Sequence, residues 1–100
     1  MIYITQLIYI KEGQEKVLDE FEDIAIPIIS KHNGRLLFRI RPDVNAFIGE
    51  CVERPYEVHL VEFETAQNFE NFKMDEERKK FLHLKDQAIQ ASVLIEGKKF

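Results

Sequence analysis

The chain has few of the residues that mark disordered, disulfide-stabilised or fibrous proteins. Its 100 residues include one cysteine, no tryptophan, three prolines and four glycines. A single cysteine excludes an internal disulfide and is typical of a reducing, cytoplasmic environment. With 45% hydrophobic residues, the composition is that of a globular protein rather than a disordered one. We therefore expect one domain that spans residues 1–100.

The sequence also lacks a long apolar run and an excess of positive charge. No stretch approaches the roughly 20 apolar residues that a membrane-spanning helix needs. Met1 leads directly into a strand pattern, without the basic segment that opens a signal peptide. The net charge is −4 and the pI is near 5.4, whereas nucleic-acid binding requires a basic surface. We expect neither a membrane nor a nucleic acid as a partner.

Strand and helix patterns alternate along the chain. Runs of β-branched and aromatic residues predict strands over 2–10, 35–41, 56–63 and 92–96. Apolar residues spaced three and four apart predict helices over 14–32, 66–73 and about 76–90. The order β-α-β-β-α-β predicts an α+β, ferredoxin-like fold, with a four-stranded antiparallel sheet and its helices on one face.

The first helix is expected to be amphipathic. Its predicted apolar stripe contains Val17, Phe21, Ile24, Ala25, Ile28 and Ile29. The opposite side is assigned to the acidic residues Glu15, Asp19, Glu20, Glu22 and Asp23. Pro27 removes a backbone hydrogen bond, so a kink or short break is expected there. Asn33-Gly34 is a helix stop, and Thr65 and Asp75 are expected to cap the later helices.

Both faces of the predicted sheet carry large apolar side chains. Ile2, Ile4, Ile8 and Ile10 share one face of the first strand, and Tyr3, Leu7 and Tyr9 share the other. On the second strand, Leu36, Phe38 and Ile40 are expected on one side, opposite the arginines. Leaving about five such side chains in water would forgo roughly 1.5–3 kcal/mol each. This predicts a homodimer with sheets packed face to face. Alternatively, residues 43–54 fold over the open face.

Three segments resemble a known superfamily. They are ITQLIYIKEGQEKVLDEFE at 4–22, PYEVHLVEF at 55–63 and DEERKKFLHLKDQAI at 75–89. They resemble the dimeric α+β-barrel proteins, and most of all a bacterial family of unknown function within that superfamily. The wider superfamily includes cofactor-independent monooxygenases, muconolactone isomerases and haem-binding chlorite dismutases. The resemblance implies a ligand pocket between sheet and helices or in the barrel interior.

His59 and Gln6 are the candidate site residues that lie inside apolar strands. A strand histidine beside a cavity can act as a general base, because its pKa lies near neutrality. His59 is therefore the candidate catalytic residue, although it can equally be hydrogen-bonded to a neighbour without a catalytic role. Gln6 interrupts the isoleucine face of the first strand. If it is buried, it needs a ligand, a water or the partner subunit as its hydrogen-bond partner.

Four further residues are candidates for ligand binding. Arg39 and Arg41 share a strand face and can hold a carboxylate or phosphate, or can pair with Glu57 or Glu62. Tyr3 supplies a hydroxyl but is equally suited to packing. Glu50 follows a glycine and can reach a pocket mouth, whereas its neighbour Cys51 lacks the features of a nucleophile.

No metal or cofactor is expected. The histidines are scattered and form neither an HExxH motif nor a Cys/His cluster. His83 could serve as an axial haem ligand by the resemblance alone, but lysines surround it on its helix.

Two functional hypotheses remain open from the sequence. The first is a homodimer that binds a small organic molecule in a pocket of the sheet. The alternative is a cofactor-independent monooxygenase or isomerase that acts on a small aromatic or apolar substrate. The enzyme hypothesis requires His59, or Gln6 with an arginine, to line an enclosed cavity of about 300 Å³ or more.

Overall fold

A four-stranded antiparallel sheet carries helices on one face in the computed structural model of the chain, which describes residues 1–49 and 53–99. The strands are β1 (Ile2–Ile10), β2 (Gly34–Ile40), β3 (Glu57–Phe63) and β4 (Ile89–Gly97). The helices are α1 (Glu15–Ile29), α2 (Ala66–Lys73), α3 (Glu76–Lys80) and α4 (Leu82–Ala88). The strand order is β2-β3-β1-β4, with antiparallel pairing throughout. The predicted ferredoxin-like α+β fold is confirmed.

Local hydrogen bonds set most helix ends where the sequence predicts them. The Thr65 hydroxyl accepts from the backbone N–H of Asn68, and the Asp75 carboxylate accepts from those of Glu77 and Arg78. Asn33 adopts the left-handed conformation that ends the 3-10 turn Ser30–His32 after α1. Pro27 does not break α1, which continues to Ile29. Proline removes one N–H, so only the carbonyl of Asp23 loses its helical donor.

The predicted helix over 76–90 was wrong in its extent. It is divided into α3 and α4 at Phe81, whose backbone (φ −113°, ψ 9°) departs from helical geometry. Its last residues instead belong to β4, where Ile89 pairs with Ile10 of β1. None of the helices in the described ranges combines the length and apolar character needed to cross a membrane.

The two faces of the sheet differ in their surroundings. The covered face, beneath the helices, buries Ile2, Ile4, Ile8, Val61 and Phe63. The open face carries Tyr3, Leu7, Val58 and Leu60, which are half-buried. It also carries Phe38, Ile40, Val93 and Ile95, which are 45–52% exposed.

A register shift in β2 changes which of its residues face the helices. Leu36 pairs with Val61, but Phe38 pairs with Leu60, so the chain gains one residue between them. Phe38 therefore lies on the open face, and Arg39, which pairs with His59, lies on the covered face. The prediction that Leu36 and Phe38 share a face was wrong, because strict alternation does not allow for a bulge.

Candidate functional site

A cavity of about 130 Å³ lies between the helices and the covered face of the sheet. Its walls are mainly apolar and include Ile4, Ile8, Leu18 and Phe21. Its polar lining consists of Gln6, Glu22, His59, Lys73, Arg78 and Lys85. Two predicted site residues, Gln6 and His59, thus line one cavity, and they are paired in the register of β1 and β3. The cavity is smaller than the volume of about 300 Å³ that the enzyme hypothesis requires.

Behind this cavity, a buried carboxylate joins three cationic side chains. Glu57 is fully buried, and its Oε2 accepts a hydrogen bond from His59 Nε2 at 2.5 Å. Its Oε1 accepts from Arg39 Nε at 3.2 Å and from Arg41 Nε at 2.8 Å. Arg41 also donates to Asp19 at 2.5 Å. The two arginines therefore share a face, as predicted, and bind carboxylates of the chain itself.

Glu22 completes the cluster and was misplaced by the sequence prediction. It is only 3% exposed, although the amphipathic pattern assigned it to the acidic side of α1. Its Oε2 lies 2.9 Å from His59 Nε2, but neither Glu22 oxygen has a hydrogen-bond partner in the described chain. The single N–H of His59 Nε2 is donated to Glu57, which explains this. Glu22 follows Leu18 by four residues and therefore lies on the same side of the helix, and this spacing was the sequence signal for the burial of Glu22.

Burial and charge shift the pKa values of this cluster in opposite directions. Burial raises the pKa of Glu22, and the carboxylate of Glu57 adds to that rise, although His59 opposes it. Burial alone would lower the pKa of His59, but contacts with Glu22 and Glu57 outweigh it and raise the pKa to about 9. The pKa of Glu57 is held well below its usual range, because His59, Glu22 and Arg41 outweigh its burial. His59 is therefore a cation at neutral pH.

A second group of cations also lines the cavity. The Arg78 guanidinium lies 4.9 Å from the ring centre of Phe72 and 5.9 Å from that of Phe21. Its Nη1 donates to the backbone oxygen of Lys73 at 3.2 Å, whereas its buried Nε has no described partner. Burial lowers the pKa of Arg78. The pKa of Lys85 is lowered mainly by burial and secondly by the positive charge of Arg78. Sequence reasoning singled out neither residue as a site residue.

Glu22, Glu57 and His59 are also arranged as three potential metal ligands. Each offers one ligand atom, and these atoms lie within 4.8 Å of one another. However, Glu57 Oε1 already binds two guanidinium groups, and Arg39 Nε lies 3.4 Å from Glu22 Oε2. A divalent cation would be repelled by these neighbours. The chemistry of the donor set therefore favours an ion network over a metal centre.

Three other predicted ligand-binding residues, Arg39, Arg41 and Tyr3, do not line this cavity. Arg39 and Arg41 instead donate hydrogen bonds to Glu57, which itself does not line the cavity. Tyr3 lies on the open face, in a shallow depression with Thr5, Leu60 and Ile95. Glu50, with Cys51, falls outside the described residues.

Comparisons with known proteins place the fold. No family model and no curated protein matches the sequence. Among solved structures, RPA0582 from Rhodopseudomonas palustris, a protein of unknown function, superposes with a TM-score of 0.84 at 15% identity, covering 99% of this chain and 82% of the other. Atu4242 from Agrobacterium tumefaciens, a NIPSNAP-family protein of unknown function, gives 0.73 at 20% identity, with 99% and 87% covered. An uncharacterised NIPSNAP domain protein from Burkholderia xenovorans gives 0.74 at 14% identity, with 100% and 95% covered. The chain therefore shares a small, ferredoxin-like α+β fold with NIPSNAP-type proteins whose function is unknown.

Proposed function

We propose that this protein is a homodimer of the dimeric α+β-barrel type that binds a small organic molecule between its sheet and its helices. The observation that carries the binding proposal is the cavity of about 130 Å³, with apolar walls and convergent polar groups. Apolar walls with a few polar groups are the usual lining of a small-molecule site, although this cavity is smaller than most such sites. An apolar protein cavity of about 150 Å³ accommodates benzene, so a single six-membered ring is the expected size.

The homodimer is supported by the apolar residues of the open face. Phe38 and Ile40 on β2 and Val93 and Ile95 on β4 are about half exposed in one chain, and these are the two edge strands. The half-buried Leu7, Val58 and Leu60 lie on the strands between them and connect the two groups. Contiguous apolar patches usually mark interfaces, and a two-fold axis lets one such patch cover its own copy. A chain of this length also gains from association, because small domains bury a small fraction of their surface.

Acid–base catalysis, as in an isomerase, is the second candidate: the cavity is smaller than this hypothesis requires, but one observation favours it. Glu22 is a buried cavity-lining carboxyl whose pKa is raised by burial, as is common for catalytic acids and bases. In this case Glu22 would exchange the proton with the substrate. His59, the residue predicted from the sequence, would serve as a base only at alkaline pH, because its pKa is about 9.

Cavity binding is tested by thermal shift and calorimetry with phenol, benzoate and toluene. A ligand at 100 times its Kd stabilises the folded state by about 2.7 kcal/mol. Ala25→Leu would fill the cavity that Ala25 lines and should abolish this stabilisation. Ala46→Leu, in an exposed turn, is the matched control and should respond like the unsubstituted protein. The proposal fails if no probe stabilises the protein, or if Ala25→Leu responds as strongly as the control.

The dimer is tested by sedimentation velocity at micromolar concentration. The unsubstituted protein should sediment as a dimer, and Phe38→Glu and Ile95→Glu should each sediment as folded monomers. Val44→Glu places the same charge on an exposed residue outside the sheet and should leave the dimer intact. A well-folded monomer of the unsubstituted protein would overturn the dimer proposal.

A further inference from the structure

We infer that the ligand of the cavity is a small hydroxylated acid built on a single ring, whose carboxylate binds Arg78 and Lys85 and whose hydroxyl binds Glu22. This inference rests on the proposed function, because it concerns the same cavity, and it adds the chemical class and orientation of the ligand.

The first support comes from buried polar atoms that lack partners. In residues 1–49 and 53–99, the buried side-chain atoms without a hydrogen bond are Glu22 Oε1, Glu22 Oε2 and Arg78 Nε. Because Glu22 Oε2 is ion-paired with His59 at 2.9 Å and lies 3.4 Å from Arg39 Nε, a missing partner is indicated chiefly for Glu22 Oε1 and Arg78 Nε. Both residues line the same cavity. Native proteins satisfy nearly all buried polar groups, with a protein, water or ligand partner. Since Glu22 and Arg78 line one cavity, a ligand with two polar groups could supply a hydrogen-bond partner to each of them.

The two cations Arg78 and Lys85 favour an anionic group on the ligand. Arg78 and Lys85 both line the cavity, the charge of Arg78 acts on Lys85, and neither has a salt-bridge partner among the described residues. Asp75 is nearby, but its Oδ1 caps α3 and its Oδ2 contacts His32 at 2.8 Å. Lys73, the third cation of the lining, is already paired with Glu70 at 2.8 Å. A ligand carboxylate would relieve the repulsion between Arg78 and Lys85, and a guanidinium can bind it with two parallel hydrogen bonds.

Beside Glu22, a second acid group on the ligand is excluded and a hydroxyl is favoured. A ligand carboxylate there would face the carboxyl groups of both Glu22 and Glu57, and like charges in a buried site repel strongly. A hydroxyl both donates and accepts, so it can pair with Glu22 whether that carboxyl is protonated or ionised. Gln6, which pairs in register with His59, adds an amide that likewise donates and accepts. The different chemistry of Glu22 and of the Arg78–Lys85 pair therefore distinguishes the hydroxyl of the ligand from its carboxylate.

The ring of the ligand would contact the apolar part of the cavity wall. Phe21 forms part of this wall and also lies beneath the Arg78 guanidinium. At about 130 Å³ the cavity is no larger than one that holds benzene, so it limits the ligand to a single ring, and the carboxylate needs an outward movement of the half-buried Arg78 and Lys85 side chains. Fused-ring compounds and long-chain acids are too large for it.

The experiment is calorimetry at pH 7 with five compounds: 3-hydroxybenzoate, 4-hydroxybenzoate, benzoate, phenol, and toluene as the apolar reference. The better hydroxybenzoate should bind about tenfold more tightly than benzoate or phenol, since each charge-assisted hydrogen bond contributes on this order. Arg78→Met and Lys85→Met should each weaken benzoate about tenfold and leave phenol unchanged. Glu22→Gln should reduce the preference for hydroxybenzoate over benzoate. Lys80→Met, an exposed substitution on the same helix as Arg78, is the control and should change no affinity.

The possible results separate this inference from the proposed function. If toluene or phenol binds but the acids bind no more tightly, the inference is overturned while the cavity remains a binding site. If no probe binds, both are overturned. Should Arg78→Met fail to fold, Arg78→Lys and the affinity order of the unsubstituted protein still decide the question.

Discussion

Raising the pH through 9 should destabilise the folded protein by removing the proton of His59. In the folded state, contacts with Glu22 and Glu57 raise the pKa of His59 from 6.5 to about 9. The folded state thus binds this proton more tightly than the unfolded chain does. The resulting stabilisation is fully present below pH 6.5 and is lost as the pH rises to about 9.

The expected loss is large compared with the stability of a small domain. A rise of pKa from 6.5 to about 9, at 1.36 kcal/mol per unit, corresponds to a loss on the order of 3 kcal/mol. Domains of this kind unfold with a free energy of about 5–15 kcal/mol. The pKa of Glu22 is raised as well, so its deprotonation lowers stability in the same direction, starting above its ordinary pKa of 4.5.

The assay is urea unfolding at fixed protein concentration, at several pH values between 6.5 and 9.5. The unsubstituted protein should lose stability steadily across this range, and His59→Gln should show a much flatter dependence. His83→Gln, which changes an exposed histidine, should follow the unsubstituted protein. If the stability of the unsubstituted protein does not change with pH, or if His59→Gln retains the full slope, the assigned ion network is incorrect.

Three further substitutions test the packing and capping of the fold, each by urea unfolding. Gly34→Ala should cost about 1–3 kcal/mol by overpacking, because the new Cβ would lie 2.5 Å from Phe63 Cε1; Gly49→Ala, with open space around it, should be nearly neutral. Leu18→Ala should cost about 2–5 kcal/mol, because Leu18 is fully buried; a smaller loss would contradict its place in the core. Thr65→Ala should cost about 1 kcal/mol through the lost N-cap of α2, and Thr65→Ser should retain most of that stability.

Local features of the fold were predictable from the sequence because they depend on neighbouring residues. The bounds of β1 and α2 agree with prediction, since hydrophobic periodicity and strand propensity act within a few positions. The Thr65 and Asp75 caps bond to backbone groups two or three residues ahead. The four-stranded antiparallel sheet was predictable because the β-α-β-β-α-β order of elements is that of the ferredoxin-like fold.

The candidate site depended on contacts between distant parts of the chain. Glu22 resembles a solvent-facing acid within α1, and only the approach of β3 gives it His59 and Glu57 as neighbours. Likewise, the bulge in β2 turns Arg39 toward that cluster, against the alternation of its own strand. Sequence periodicity thus determined which elements form, because their hydrogen bonds are local. Tertiary packing decided which charges are buried together, because their desolvation is compensated only by partners remote in sequence.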